Sequence, residues 1–576
     1  MGAWSCAPAP GVNPSSTTLP ETTTTFEPGE VVEPDGPSRV VVGIGDHGAP
    51  RTLNPFLDGP DTAVLDLMAP AVFATGYDID PDTRQPVPDV LLEIPTLANG
   101  GLSVNRNGTM DVTVRVDPDA VWADGTRISA ADLAFTIETV MDPTLPIRSD
   151  WRARYEKIVP GSVRPVGLEL TFRMDIDPSV ELLFDVILPV HQVKGSDFVN
   201  DWNDTMWTAG GPFEAESYQP GQHLALARNE RYWKVDAATG ESLPFLDRLI
   251  FRFFDSAGTP DPRLLQAFET RDLDVVLLSL PDAVAGDYLN LEREGAAVVV
   301  APGLAWEQIN FQFGPGNRND ESLNRYQRFR AAVAYAIDRN ALAERRGTVP
   351  LSSMLRTYLP DLTADPWSAY DYDPAEVPGL LYSLGESIGA DLFLGAGPRL
   401  VITTSSDSTA TVAMAGDIVV MLNEAGIGAE LQLEDPALFF GETLDNGTWD
   451  VAAWRFEGSP GRTGAIALIE MFDPEGLPFV GNNYFRWGTV DSRVSNRSTD
   501  RYAAIIDELH ETVDPAEIDR LLIEAEEILA SQVVLIPLLI HQLSGAVVWT
   551  DQVTGVSANP AQSELWDVEW WRRPTG

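Results

Sequence analysis

Apolar positions recur along this chain at two periods, and the change from one period to the other marks out the elements. Residues 39–45 (RVVVGIG) form a continuous apolar run that predicts a buried strand. After a turn at Pro55 the stretch 52–74 turns to helical spacing. Residues 103–116 and 166–174 then alternate apolar with polar, as half-buried strands do. Between these two, 129–140 (SAADLAFTIETV) has a Ser in the N-cap position, an Asp three residues on and apolar residues at helical spacing. Strands are predicted over HLALARNERYW (223–233), LIFRFF (249–254) and LDVVLLSL (273–280), the last two flanking a helix over 262–269.

The second half repeats the rhythm. Residues 328–345 (RFRAAVAYAIDRNALAER) read as one strong helix. Strand LVITTS (400–405), a helix over 411–426 ending in Gly426, and strand AELQLED (429–435) follow in order. That βαβ order predicts a parallel or mixed sheet covered by helices. Two helices (499–510 and 515–531) and a strand over 533–540 close the pattern. With 576 residues, the chain has room for about four domain-sized units.

Residues 7–37 break the pattern. They are dominated by Pro, Thr, Ser and Glu, cannot bury enough surface to offset their ordering entropy, and read as an extended tether. The single cysteine, Cys6, stands just before this tether, as in bacterial lipoproteins after signal-peptide removal. Ser5 has the small size that such a site needs. Only five residues precede Cys6, too few for the apolar stretch of a signal peptide, so either the start is placed late or Cys6 is an ordinary thiol in a tail. Lipidation of Cys6 is the expectation taken forward.

Composition narrows the function. Asp and Glu number 86 against 39 Lys and Arg, a formal charge of −47, and such a surface repels phosphate backbones, so no nucleic-acid partner is expected. The only lysines are Lys157, Lys194 and Lys234; an Arg-for-Lys bias fits either a GC-rich genome or a salty habitat. One cysteine excludes a disulfide framework and a Cys-based zinc site, and the five histidines are scattered, so neither metal nor cofactor is expected. No apolar run approaches the roughly 20 residues that span a bilayer; VVLIPLLI (533–540), broken by Pro537, reads as a buried strand.

Two short motifs suggest chemistry that their context denies. Gly43-Ile-Gly45-Asp-His-Gly48 matches the dinucleotide fingerprint, but Pro50, Asn54 and Pro55 follow where a helix must begin. Gly385-Glu-Ser387-Ile-Gly389 matches the nucleophile elbow of serine hydrolases, which needs a strand before it; the helical pattern before Gly385 favours a helix end with Gly385 as its cap.

Five longer blocks, in order, resemble one family: the extracytoplasmic solute-binding proteins of ABC importers, in the peptide- and nickel-binding class (family 5). They are VWADGTRISAADLAFTI (121–137); GGPF with YQPG and LARNERYW (210–233); LPFLD with IFRF and LQAFETRDLDVV (243–276); RFRAAVAYAID (328–338); and the closing stretch 514–567 with Asn559 and Leu565-Trp566-Asp567. The match runs from about residue 40 to 572, and the ordered spacing carries more weight than any single block.

The resemblance implies an α/β, bilobal, periplasmic-binding-protein-like fold (class II, cluster C) with an extra subdomain in the first lobe. Residues 1–37 would be the tether. Residues 38–58, 205–304 and 544–576 would form the core of the first lobe, 59–204 its extra subdomain, and 305–543 the second lobe. It also implies a non-enzymatic receptor that captures an oligopeptide or similar small solute by closing two lobes. The receptor would work as a monomer outside the cytoplasmic membrane, anchored by Cys6 or free in the periplasmic or extracellular space, and deliver its solute to a membrane permease.

In peptide-binding members a W-x-x-D-Y loop presents an Asp to the ligand's amino terminus. The matching residues here are Trp454-Arg455-Phe456-Glu457, expected as a loop after a strand over 449–453. Glu457 replaces the Asp, Gly458 the Tyr, and Arg455 adds a charge that suits a carboxylate or phosphate. Trp306, Asn310, Met354 and Arg486 complete the expected ligand contacts. Two alternatives stand beside this reading: a degenerate binding protein acting as sensor or scaffold, and a secreted serine hydrolase using Ser387.

Overall fold

The computed structural model describes residues 38–45, 48–254, 261–280, 288–315, 322–390, 392, 399–478, 481–541 and 543–574; Cys6 and the tether lie outside them. Two main sheets organise the chain. The first has seven strands, in the order Ala296–Pro302, Leu543–Trp549, Val275–Leu280, Arg39–Ile44, Arg248–Phe253, His223–Arg228 and Phe213–Gln219. The apolar strand Arg39–Ile44 lies near its middle, parallel to both neighbours, and every other pairing is antiparallel. The second has five, in the order Gly428–Glu434, Arg399–Ser405, Val451–Glu457, Ala305–Phe311 and Leu535–Ile540. Helix Thr409–Glu424 makes the crossover between two parallel neighbours of that sheet, as the βαβ pattern predicts.

Each sheet carries its own apolar core, which makes the fold bilobal. The extra subdomain of the first lobe holds a four-stranded sheet (Leu102–Val104, Thr109–Arg115, Glu169–Asp175 and Arg164–Val166) and a small hairpin, Tyr77–Ile79 with Pro86–Pro88. Helix Ala130–Val140 starts with the predicted capping box: Ser129 and Asp132 satisfy each other's orphan groups. Tyr77, Ile79 and Leu182 of this subdomain pack into the core of the second lobe.

Two adjacent connections join the lobes. Strand Ala296–Pro302 of the first sheet continues after two residues as Ala305–Phe311 of the second, and Leu535–Ile540 continues as Leu543–Trp549. The two tracks stay paired on both sides, Pro302 with Leu543 and Trp306 with Ile540, and the His541 N–H donates to the Ala305 carbonyl at 2.8 Å between them. Pro537 is tolerated because its strand is a sheet edge with an irregular register beside Gln308.

Three local expectations are corrected. The single helix over 328–345 is two, Gln327–Tyr335 and Arg339–Arg346, because the side chain of Asp338 caps the Ala341 N–H at 2.9 Å and restarts the helix. The strand expected to end at residue 453 runs on to Glu457, so Trp454–Glu457 is strand and not loop. Helix Glu376–Ile388 passes through Gly385 and Ser387 and ends at Gly389, whose φ of 72° only glycine adopts readily. Ser387 Oγ donates to the Leu384 carbonyl within that helix at 2.7 Å, which removes the nucleophile-elbow reading. Asp46 and His47 of the dinucleotide-like motif lie outside the described residues, and among the described residues the next helix begins at Thr62.

Candidate functional site

Strand Val451–Glu457 pairs along its length with the connecting strand Ala305–Phe311, placing Glu457 opposite Ala305 at the connection itself. Side chains alternate across the sheet, so Trp454 and Phe456 share a face with Trp306 and Gln308, while Arg455 and Glu457 share the other with Glu307. Arg455 and Glu457 are both exposed, and neither makes a hydrogen bond or ion pair among the described residues.

The other expected contacts stand inside the second lobe. Trp306 is fully buried, with its Nε1–H donating to Tyr358 Oη at 3.1 Å and its ring edge-on to Phe456. Trp454 stacks on Phe485 at 5.6 Å between ring centroids. Asn310 is buried and bonds the Ala452 carbonyl at 3.4 Å. Met354 is buried where its N–H meets Glu526 at 2.5 Å. Arg486 is committed to Asp491 at 2.9 Å and to the Asp445 carbonyl at 3.0 Å. Of the expected contacts, only Arg455 and Glu457 are exposed; the buried aromatics lie behind them.

Tyr358 is the residue that sequence reasoning missed. It is fully buried against the chain reversal after Glu457, and burial raises its pKa, with the hydrogen bond from Trp306 opposing and the charge of Glu457 adding to the rise. Only contact in the fold reveals it, because 99 residues separate it from Glu457 (457 − 358).

Facing this corner is the first-lobe hairpin. Arg84, held at φ 57°, sends its guanidinium across to the Thr357 carbonyl and to the Pro302 carbonyl at 2.8 Å, so one side chain touches the second lobe and the connection together. Burial lowers its pKa, and no carboxylate compensates it. Beside it, Gln85 Oε1 accepts from Arg462 at 2.6 Å, and Arg462 is fixed by Asp519 at 2.8 and 2.9 Å. Behind the connection, Glu307 (2% exposed) accepts from Thr411 Oγ1 at 2.8 Å and meets His541 Nδ1 at 2.5 Å. That carboxylate ties helix Thr409–Glu424 to both tracks. The site thus has charged groups on one lobe, a latch from the other, and a braced joint between them.

Two lobes joined by paired strand connections, with exposed charges at the seam, are the arrangement of a bilobal binding protein. The family described as "Bacterial extracellular solute-binding proteins, family 5 Middle" matches residues 94–467, and the chain belongs to that family. Its members are extracytoplasmic. The oligopeptide-binding protein OppA of Mycobacterium tuberculosis is 24% identical over 404 residues, a match that takes in 67% of this chain and 64% of that protein's length. Among solved structures, the unliganded open form of the periplasmic murein tripeptide-binding protein MppA superposes with a TM-score of 0.70 at 17% identity, covering 93% of this chain and 96% of that one. A nickel ABC transporter protein from Bacillus halodurans gives 0.69 at 18% identity, covering 91% and 98%. These likenesses establish the fold, and the proteins matched are binding proteins rather than enzymes. No helix among the described residues is long and apolar enough to cross a membrane.

Proposed function

We propose that this chain is the capture subunit of an ABC importer: it takes an oligopeptide or similar small solute between its lobes and hands it to a membrane permease. The observation that carries this reading is the pair Arg455 and Glu457, both exposed and without partners at the seam between the lobes. Alternate residues of a strand lie roughly 7 Å apart on one face, so the two can meet a cation and an anion on one zwitterionic solute. Glu457 receives the ammonium group and Arg455 the carboxylate, while Trp306, Trp454, Asn310, Met354 and Arg486 hold the strand and its surroundings in place. The match to an oligopeptide-binding protein supports a peptide as the solute.

In this reading residues 38–58, 205–304 and 544–576 form the first-lobe core, 59–204 the extra subdomain and 305–543 the second lobe. Cys6 carries a lipid that keeps the monomer at the outer face of the membrane. Binding shifts the population toward the closed state only if the solute touches both lobes.

Native mass spectrometry of protein purified without refolding tests it directly. A bound mass that disappears on denaturation supports capture, and its fragmentation identifies a peptide. An empty protein that binds nothing from a broad peptide and metabolite mixture refutes capture and favours a sensor or scaffold that recognises a partner protein. With a peptide in hand, Glu457→Ala is expected to weaken a free amino terminus by about 1.5–3 kcal/mol, and to leave the N-acetylated peptide unchanged. Equal binding of the free peptide by both proteins would remove Glu457 from the site.

A further inference from the structure

A pocket of about 490 Å³ opens in the first lobe, and every residue lining it lies outside 305–543. Its walls come from distant parts of the chain: the hairpin Tyr77–Pro88 and the residues after it to Leu92, the segment at 233–235 and the C-terminal stretch at 566–570, with Asp117 and Leu243 beside them. The volume lies in the range of small-molecule sites and is far above the roughly 30 Å³ of one water.

The chemistry of the walls is one-sided. Three indoles line the pocket, Trp233, Trp566 and Trp570. Trp566 is oriented by its Nε1–H donating to Ser557 Oγ at 2.9 Å, and Trp570 sits edge-on to Phe245 with centroids 6.0 Å apart. Between the indoles stand five carboxyl groups (Asp78, Asp89, Asp117, Asp567 and Glu569) and one cation, Lys234.

Lys234 shares its single charge among three of them. Its ammonium pairs with Asp89 and lies 4.0 Å from Asp78 and 3.9 Å from Glu569. Asp78 and Asp567 otherwise rest on neutral donors: Gln562 at 2.9 Å for Asp78, Ser557 at 2.6 Å and Trp571 at 3.1 Å for Asp567. The Glu569 side chain is 8% exposed, and among the described residues no neighbouring side chain donates a hydrogen bond to it. Burial raises Glu569 to about 8, Asp78 to about 7 and Asp567 to about 6. An added positive charge would relieve all three. The three indoles beside these acids suit a charge carried on a body with apolar surface.

We propose that this pocket is a second ligand site, separate from the seam between the lobes, that takes a small organic ammonium ion with its alkyl groups on the indole faces and its charge toward Glu569 and Asp78. Indole faces attract such a cation through the ring quadrupole, and buried carboxylates make the contact charge-assisted. Because the walls join the subdomain hairpin to the C-terminal stretch, an occupant also fastens together the part of the first lobe that meets the second.

The test is isothermal titration of the full chain at pH 7.5 with choline, against its neutral isostere 3,3-dimethylbutan-1-ol. Saturable one-to-one binding of choline but not of the isostere is expected, with a heat that depends on the buffer because protons leave the raised carboxyls. Glu569→Gln, and separately Trp570→Ala at the exposed rim, should each weaken choline about tenfold; thermal melting confirms that each variant is folded. Absence of saturable binding into the tens of millimolar would overturn the proposal. So would equal binding of the isostere, or choline binding that survives in both variants.

Discussion

The ring of Tyr358 occupies the space beside Gly458: a Cβ built on that glycine would lie 3.0 Å from Tyr358 Oη. The family pattern that this chain resembles places its own Tyr next to the charged residue of the strand, and here the phenol reaches the same corner from another part of the chain. The position beside Glu457 must be small once the ring is there. Gly458→Ala should destabilise the second lobe by about 1–3 kcal/mol through overpacking. Tyr358→Phe should cost about 1–3 kcal/mol, because the buried Trp306 Nε1–H loses its acceptor. Combined, they should cost nearly their sum, since Tyr358 Cε1 and Cζ, at 3.0 and 3.1 Å from the added Cβ, remain in the phenylalanine ring. Urea midpoints of the four proteins check this; a combined cost far below the sum would show that the hydroxyl alone limits the space.

Arg84 holds one carbonyl of the second lobe, Thr357, and one at the connection, Pro302. Arg84→Ala should leave both unsatisfied at a cost of about 1–3 kcal/mol to the closed arrangement and move the ligand-free protein toward separated lobes. Small-angle scattering should record a larger radius of gyration, reversed by a ligand that touches both lobes. An unchanged radius would mean that the other contacts hold the lobes together without it.

Glu526 sets a pH dependence. It is fully buried, accepts from Ser353 Oγ at 2.8 Å and from the Met354 N–H at 2.5 Å, and burial raises it from 4.5 to about 7. The folded protein therefore holds this proton more tightly than the unfolded chain does. Its contribution to stability is full below about pH 4.5 and is lost as pH rises through about 7. Glu526→Gln keeps the acceptor and removes the titration, so the fall in melting temperature attributable to this group across that window should disappear. Identical pH profiles for the two proteins would contradict the assignment.

Asp338→Ala should cost about 0.5–2 kcal/mol as a lost helix cap, read as a lower urea midpoint with an unchanged slope. A variant as stable as the parent would mean that the helix restart does not depend on this side chain.

The residues that were legible from sequence are those whose pattern answers to one face of one element. Val40, Val42 and Ile44 announce a buried strand, and Ser129 with Asp132 announces a helix start. Strand Ala305–Phe311 hides because Glu307, Gln308 and Asn310 are polar yet buried, so it shows neither alternation nor an apolar run. Continuation of strand Val451–Glu457 past Ala453 was hidden too, since its last turns of charge read as loop while its backbone pairs with Ala305 and Glu307. Arg455 and Glu457 were found through a family pattern, whereas Tyr358, Arg84 and the walls around Glu569 are assembled by contacts across the chain that no local window contains.

The two connections between the lobes lie side by side and remain hydrogen-bonded to each other on both flanks. Such a pair behaves as a door hinge: it swings about one line and resists sliding and twisting. Among the described residues, Gly303, Leu304 and His541 are the backbone between the strands of the two sheets. Under the proposed capture by closure, such a joint would return Arg84 to the same carbonyls each time and act as a gauge of the length of what is held.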